Sequence, residues 1–219
     1  AVNLSLDTFD RDKFEQITGR DLFGKVRENM DALLDAGIPF KLNAVAMRGF
    51  NDDELPAFID YAMRHPIDVR FIEFMPMGEG TRWSDSCFWS APDILDAVKG
   101  LVAVAPVEQE QRNGGPARLY TLSGPDGPGL GRLGLISPLS SHFCTSCNRL
   151  RITSDGALRT CLFDDREYRL RNALRHPKLG IEAVRRIVTL ATRDKPIGAR
   201  LLERRHNAVA QRRMTAIGG

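Results

Sequence analysis

Along the first hundred residues, short extended runs of apolar residues alternate with stretches of helical spacing. Val2 to Asp7 places Val2, Leu4 and Leu6 at every second position and predicts a strand. From Arg20 to Ala36, Phe23, Val26, Met30, Leu33 and Leu34 recur on one helical face, and Gly37 supplies a left-handed cap. Phe40 to Met47 predicts a second strand. Asn51 then caps a helix whose entry is acidic (Asp52, Asp53, Glu54) and whose buried face is Leu55, Phe58, Ile59 and Ala62, stopping before Pro66. Asp68 to Phe74 predicts the third strand. Strands alternating with helices in this way imply parallel β-α units.

The pattern changes after Gly78-Glu79-Gly80. Short extended runs and glycine- and proline-rich turns follow, interrupted by one helix from Ser90 to about Lys99. Val102 to Val107, Ala117 to Leu122, Arg132 to Ile136 and Arg149 to Thr153 are expected to form a small antiparallel sheet. From Arg166 the chain reads as helices that bury Leu170, Leu174, Ile181, Val184, Ile187, Val188 and Leu190. Two modules are expected, residues 1–80 and 81–219, and no internal repeat is evident.

With 42% hydrophobic and 27% charged residues, the 219-residue chain is neither collagen-like nor disordered in composition. No apolar run approaches the roughly 20 residues of a membrane span, and no signal region opens the chain, so the expected compartment is the cytoplasm. The net charge of +3 is unevenly spread: residues 149–219 hold 17 Lys and Arg against 7 Asp and Glu. Only Phe163 and Tyr168 interleave those cations, which argues against a single-strand nucleic-acid platform and leaves a small anionic ligand.

The densest chemistry lies between Phe143 and Phe163, where Cys144, Cys147 and Cys161 are grouped with Arg149, Arg151 and Arg159. Two thiolates across a two-residue gap can grip one metal centre, and Asp155-Gly156 predicts a hairpin turn that returns Cys161 beside them. Thiolates suit zinc or iron–sulfur clusters. A structural zinc wants a fourth ligand. Cys87 lies far upstream, however, and His142 is close to Cys144 in sequence. A cubane cluster on three cysteines leaves one iron open. Iron–sulfur cluster, zinc and unligated thiols all remain readings of the spacing. Arg149 and Arg151, two apart in the expected strand, would leave one face and close on one phosphate group.

The run FCTSCNRLRITSDGALRTCLF, together with NLSLDTFD, LNAVAMRGFNDDE, RFIEFMPMGEG, GPARLY and the terminal IGG, closely resembles the GTP 3',8-cyclase (molybdenum cofactor biosynthesis protein A) family. These are lyases of the radical S-adenosylmethionine superfamily. The resemblance implies that residues 1–80 are the second half of an open, partial TIM-type β/α barrel, followed by a smaller module with a 4Fe-4S cluster and a GTP site. It implies Cys144, Cys147 and Cys161 as cluster ligands, with Cys87 outside the ligand set. Ser5 and Met75 match contacts to S-adenosylmethionine, and Lys41, Arg149 and Arg151 match contacts to GTP. Arg70 is a further candidate for the nucleotide. In a β/α barrel such groups project from the C-terminal ends of strands, where Ser5, Lys41, Arg70 and Met75 are expected. Gly218 and Gly219 match a two-glycine tail that reaches toward the active site.

The implied reaction converts GTP to (8S)-3',8-cyclo-7,8-dihydroguanosine 5'-triphosphate in molybdopterin synthesis. A radical from S-adenosylmethionine and a second 4Fe-4S cluster starts it. Cyclic pyranopterin monophosphate synthase would act next, and a homodimer is an assembly the resemblance allows. One departure is large: the family's Cys-x3-Cys-x2-Cys motif is absent from these 219 residues. The chain therefore reads as the C-terminal two-thirds of the enzyme, inactive alone. A rival reading is a non-catalytic iron–sulfur or zinc binding module.

Overall fold

β1 (Val2–Ser5) is an edge strand that pairs in parallel with β2 (Phe40–Ala46), which in turn pairs in parallel with β3 (Asp68–Glu73). The computed structural model describes residues 2–78, 81–108, 115–204 and 216. Between the strands lie α1 (Arg11–Thr18), α2 (Phe23–Asp35) and α3 (Leu55–Arg64). α1 was not anticipated from the hydrophobic pattern, because Phe14 alone of its residues is buried. Its ends are well specified all the same. The Asp10 carboxylate accepts from the Asp12 and Lys13 N–H groups, and Gly19 closes the helix at φ 71°.

The described chain divides into two compact units, one of Ala1–Phe74 with Asp85–Ser141, the other of Met75–Ser84 with His142–Gly219. In the first, α4 (Ala91–Lys99) precedes β4 (Ala103–Pro106), β5 (Arg118–Gly124) and β6 (Gly127–Ile136). These last strands do not form the separate small sheet expected. β6 pairs in parallel with β3 and antiparallel with β5, giving one mixed sheet in the order β1-β2-β3-β6-β5-β4. β6 has partners on both sides, and its alternate residues Leu133 and Leu135 are buried in the main core with Leu42, Val69, Phe71, Phe58 and Ile59. Burial of that apolar face, at about 25 cal/mol per Å², favours extending the sheet over starting a new one.

The second unit holds a two-stranded hairpin, β7 (Arg151–Ile152) with β8 (Leu158–Arg159), and the helices α5 (Leu170–Arg175), α6 (Gly180–Arg193) and α7 (Gly198–Arg204). The apolar stripe expected to be buried here is largely open. Leu174, Ile181 and Leu190 are exposed, Leu170, Val184, Ile187 and Val188 are half-buried, and the buried positions of α5 and α6 are Ala173 and Ala191, while α7 buries Ala199 and Leu202. Among the described residues no helix is long and apolar enough to cross a membrane.

Two buried polar residues fasten the sheet of the first unit. Glu73 is fully buried at the end of β3. Its carboxylate accepts from the Ala91 N–H (2.8 Å) at the start of α4, from the Leu139 N–H (2.8 Å) and Ser140 N–H (3.0 Å), and from the Ser140 hydroxyl. Asn51, also fully buried, donates through Nδ2 to the carbonyls of Asp7 (2.7 Å) and Val45 (2.8 Å) and accepts from the Met47 N–H (2.9 Å). It ties the exit of β1 to the end of β2, and, contrary to expectation, its side chain makes no capping hydrogen bond to the helix that follows. Asn51→Ala would strand these groups, each at about 1–3 kcal/mol. The expected loss is about 2–4 kcal/mol, read as a lower urea midpoint at unchanged slope.

Burial pushes the Asp7 carboxyl above the usual carboxylate range, against the opposing effect of the Val45 N–H that donates to it at 2.8 Å. Folding therefore favours the protonated form. The cost of the buried charge is absent below the unfolded value, grows as pH rises from the unfolded to the folded value and is constant above that. Asp7→Asn keeps an acceptor and removes the charge. Its stability relative to wild type should rise as pH increases above about 4, the ordinary aspartate value, and then level off, which thermal unfolding at a series of pH values would measure.

Candidate metal centre and anion sites

The in-register strands of the first unit place residues in transverse rows on one face of the sheet. Ser5, Asn43, Arg70 and Gly134 form one row, and Asn3, Lys41, Asp68 and Arg132 form the next. Asp68, 5% exposed, accepts from Arg70 Nη2 and Arg132 Nε, each at 2.8 Å, and so holds two guanidinium groups on that face. Among the described residues, Arg70 Nε and Asn43 Oδ1 are buried and find no hydrogen-bond partner. An orphaned donor and an orphaned acceptor in one row fit a polar ligand, because such groups are costly to leave unmet. Gly134 makes room for Arg70: a Cβ there would stand 2.7 Å from Arg70 Cγ.

Ser5, Lys41 and Arg70 thus share a face, but not the strand ends expected of them. Ser5 does close β1, whereas Arg70 is in the middle of β3 and Lys41 is the second residue of β2. β1 and β2 are offset in sequence so that Lys41 lies level with Asn3, two residues before Ser5. Met75 follows β3 and is half-buried at the start of the second unit.

In the second unit a short 3-10 turn spans Cys144–Ser146, closed by the Cys147 N–H donating to the Cys144 carbonyl at 3.3 Å. The expected hairpin follows, with Gly156 at φ 81°. It leads to Arg159, whose side chain is fully buried. This guanidinium donates to the carbonyls of Leu162 and Asp164 and pairs with Asp165 and Glu167, each at 3.5 Å, so it organises the loop that carries Cys161.

Cys144, Cys147 and Cys161 are free and half-buried. Burial pushes the Cys161 thiol up, and the nearby Cys144 adds to the effect. Burial also opposes ionisation of Cys147, but the Arg149 N–H and the Lys195 ammonium outweigh it and hold that thiol below its ordinary value. Among the described residues no three His, Cys, Asp or Glu side chains converge as ligands of a single ion. Cys144 and Cys161 are near enough to influence one another's ionisation, and a set of thiolate donors suits zinc or an iron–sulfur cluster rather than a hard cation. His142 is exposed, and Cys87 lies in a loop of the first unit.

The expected strand for Arg149 and Arg151 is shorter in the structure. β7 begins at Arg151, while Arg149 precedes it with its guanidinium carbon 5.5 Å from the Phe143 ring centre. The two cations still lie near one another. Burial first, and the Arg149 charge second, lower the Arg151 value. Both are half-buried, and among the described residues neither pairs with a carboxylate. Gly218 and Gly219 lie outside the described residues.

The profile of the family described as Molybdenum Cofactor Synthesis C matches residues 67–201, more than half of the chain. The chain belongs to that family. The match takes in Arg70, all three grouped cysteines and both arginines. Residues 1–62 match the Radical SAM superfamily. The chain is 42% identical over its whole length to a GTP 3',8-cyclase of Alkaliphilus oremlandii, covering 64% of that relative. It is 41% identical over 89% of its length to one of Syntrophomonas wolfei, covering 58%. It is also 36% identical over its whole length to one of Pelotomaculum thermopropionicum, covering 65%. The chain therefore spans about three fifths of the length of these relatives.

Asn43, Asp68, Arg132 and Lys195 were given no part in a site by the sequence pattern. Asn43 had a signal, being two residues beyond Lys41 on the same strand face. Lys195, 48 residues from Cys147, had none. Gly134→Ala should displace Arg70 and cost about 1–3 kcal/mol, the range for overpacking, measurable by denaturant unfolding.

Proposed function

We propose that this chain carries the GTP-binding and second-cluster portion of a radical S-adenosylmethionine GTP 3',8-cyclase acting in molybdenum cofactor biosynthesis. The observation that carries the reading is the pair Arg149 and Arg151, half-buried and without carboxylate partners among the described residues, in the same segment as the three thiols. Two guanidinium groups whose charges already oppose one another gain most from a multiply charged anion. Their forks match phosphate oxygens in geometry as well as charge.

Cys144, Cys147 and Cys161 would hold the 4Fe-4S cluster, which when bound supplies an iron without a protein ligand to which a purine can bind. The chain's own residues orient the substrate. Arg149 and Arg151 bind phosphate, and the Phe143 ring steadies Arg149. Lys41 and Arg70 contact GTP from the polar face of the sheet, with Asp68 fixing Arg70 by one Nη and leaving Nε for a ligand. Ser5 and Met75 contact S-adenosylmethionine. This is catalysis by positioning, with the hard chemistry left to cofactors. The 219 residues hold no Cys-x3-Cys-x2-Cys motif and by themselves form no cyclised product.

Anaerobic reconstitution should load about four irons per chain, unchanged by Cys87→Ser and lost with Cys144→Ser. Calorimetric titration with GTP should show Arg149→Ala or Arg151→Ala weakening binding by on the order of 1.5–3 kcal/mol, the range for charge-assisted hydrogen bonds. Stable zinc in place of iron, or equal GTP affinity in wild type and both variants, would return the chain to the simpler metal-binding module.

A further inference from the structure

α6 ends at Arg193 and α7 begins at Gly198, and Pro196 in between bars a continuous helix. The chain therefore leaves the helical path at Lys195. The half-buried Lys195 ammonium donates to the Cys147 carbonyl at 2.7 Å, to the Arg149 carbonyl at 2.9 Å and to Cys147 Sγ at 3.4 Å. An ammonium has three protons, so these contacts use all of its donors. Among the described residues no carboxylate pairs with it, unlike Lys13, which holds Asp53 and Glu54. Its charge is spent on the backbone and sulfur of the thiol segment.

Three residues on, Gly198 is buried against the other thiol segment. A Cβ there would stand 2.6 Å from Cys161 Sγ and 2.9 Å from Phe163 Cδ2. No L-residue with a side chain, alanine included, fits without moving the sulfur. A single stretch of four residues therefore grips Cys147 at one end and abuts Cys161 at the other. In the chain between these two cysteines lies the hairpin of β7 and β8.

We propose that Lys195 to Gly198 form a clasp that positions the two thiol segments for the cluster, with the Lys195 charge favouring the cluster's reduced state. The inference rests on the cluster reading above and adds two positioning residues to it. Reduction adds negative charge to a cluster, and a fixed ammonium beside one ligand sulfur stabilises that charge, as hydrogen bonds and cations around a cluster do in general.

The test compares wild type, Lys195→Met, Lys195→Arg and Gly198→Ala after anaerobic reconstitution. Iron content, the rate of iron loss to a chelator and the midpoint potential from an electron paramagnetic resonance titration are read for each. Lys195→Met, similar in length and uncharged, should shift the oxidised-to-reduced ratio at a given potential at least about tenfold toward oxidised, about 59 mV for one electron. Lys195→Arg should keep the wild-type potential. Gly198→Ala should lose iron severalfold faster. Loss of iron from Lys195→Met with retention in Lys195→Arg also supports the clasp. A wild-type potential in Lys195→Met, or equal iron loss in both Lys195 variants, overturns the electrostatic role. Wild-type iron retention in Gly198→Ala removes Gly198 from the clasp. A wild-type protein that binds no iron defeats the cluster reading itself, a result distinct from these.

Discussion

The parallel register of β2, β3 and β6 is the constraint on which the rest of the first unit depends. Side chains alternate between the two faces of a strand, so a slip of one residue in β3 would move Phe71 out of the core and Arg70 into it. The register is held by chemistry on both faces. On the apolar side Leu42, Val69, Phe71, Leu133 and Leu135 are buried together. On the polar side Asp68 bridges Arg70 to Arg132 across two strands. A buried ion pair is weak evidence for stability, since desolvation offsets much of its attraction, but it penalises misregister strongly by leaving a charge unpaired. The result is a row of polar groups whose order across the sheet is dictated by burial on the opposite face.

The second unit is organised differently. Its helices leave Leu174, Ile181 and Leu190 exposed, and its order near the thiols comes from backbone carbonyls gathered around cations. Arg159 collects the loop that carries Cys161, and Lys195 collects the segment that carries Cys147. The knot at Arg159 lies beside the buried Leu158 and Phe163, and among the described residues Arg159 Nε is itself buried and unmet. A region built this way gains from a bound cluster, because the free energy of ligating a metal becomes folding free energy where the site is otherwise loosely packed. The cations that organise the cysteine segments would also neutralise some of the charge a cluster brings.

Local pattern was enough for the strands β1 to β3 and the helices α2 to α4, because each is a short-range consequence of where apolar residues recur and where Gly37 and Ser90 interrupt them, whereas Asn51, expected as a cap, spends its side chain on Asp7 and Val45. The Asp155-Gly156 turn was legible for the same reason, and so was the grouping of Cys144, Cys147 and Cys161, which needs no knowledge of the fold. α1 was not, since its ends are marked by Asp10 and Gly19 but its single buried residue, Phe14, leaves no periodicity to detect.

Pairing partners were decided only in three dimensions. β6 carries the same extended pattern whether it joins a small antiparallel sheet or lies beside β3, and the choice turns on burial against helices distant in sequence. Lys195 and Gly198 are in the same position, as is Asp68 with Arg132: each acts on a residue tens of positions away or on the neighbouring strand. The sequence by itself determined which donors and cations this protein owns and roughly which stretches are strands and helices. Only the tertiary structure decided which of them meet, because contacts between distant segments are chosen by the burial and hydrogen bonding of the whole unit, which no local window of residues contains.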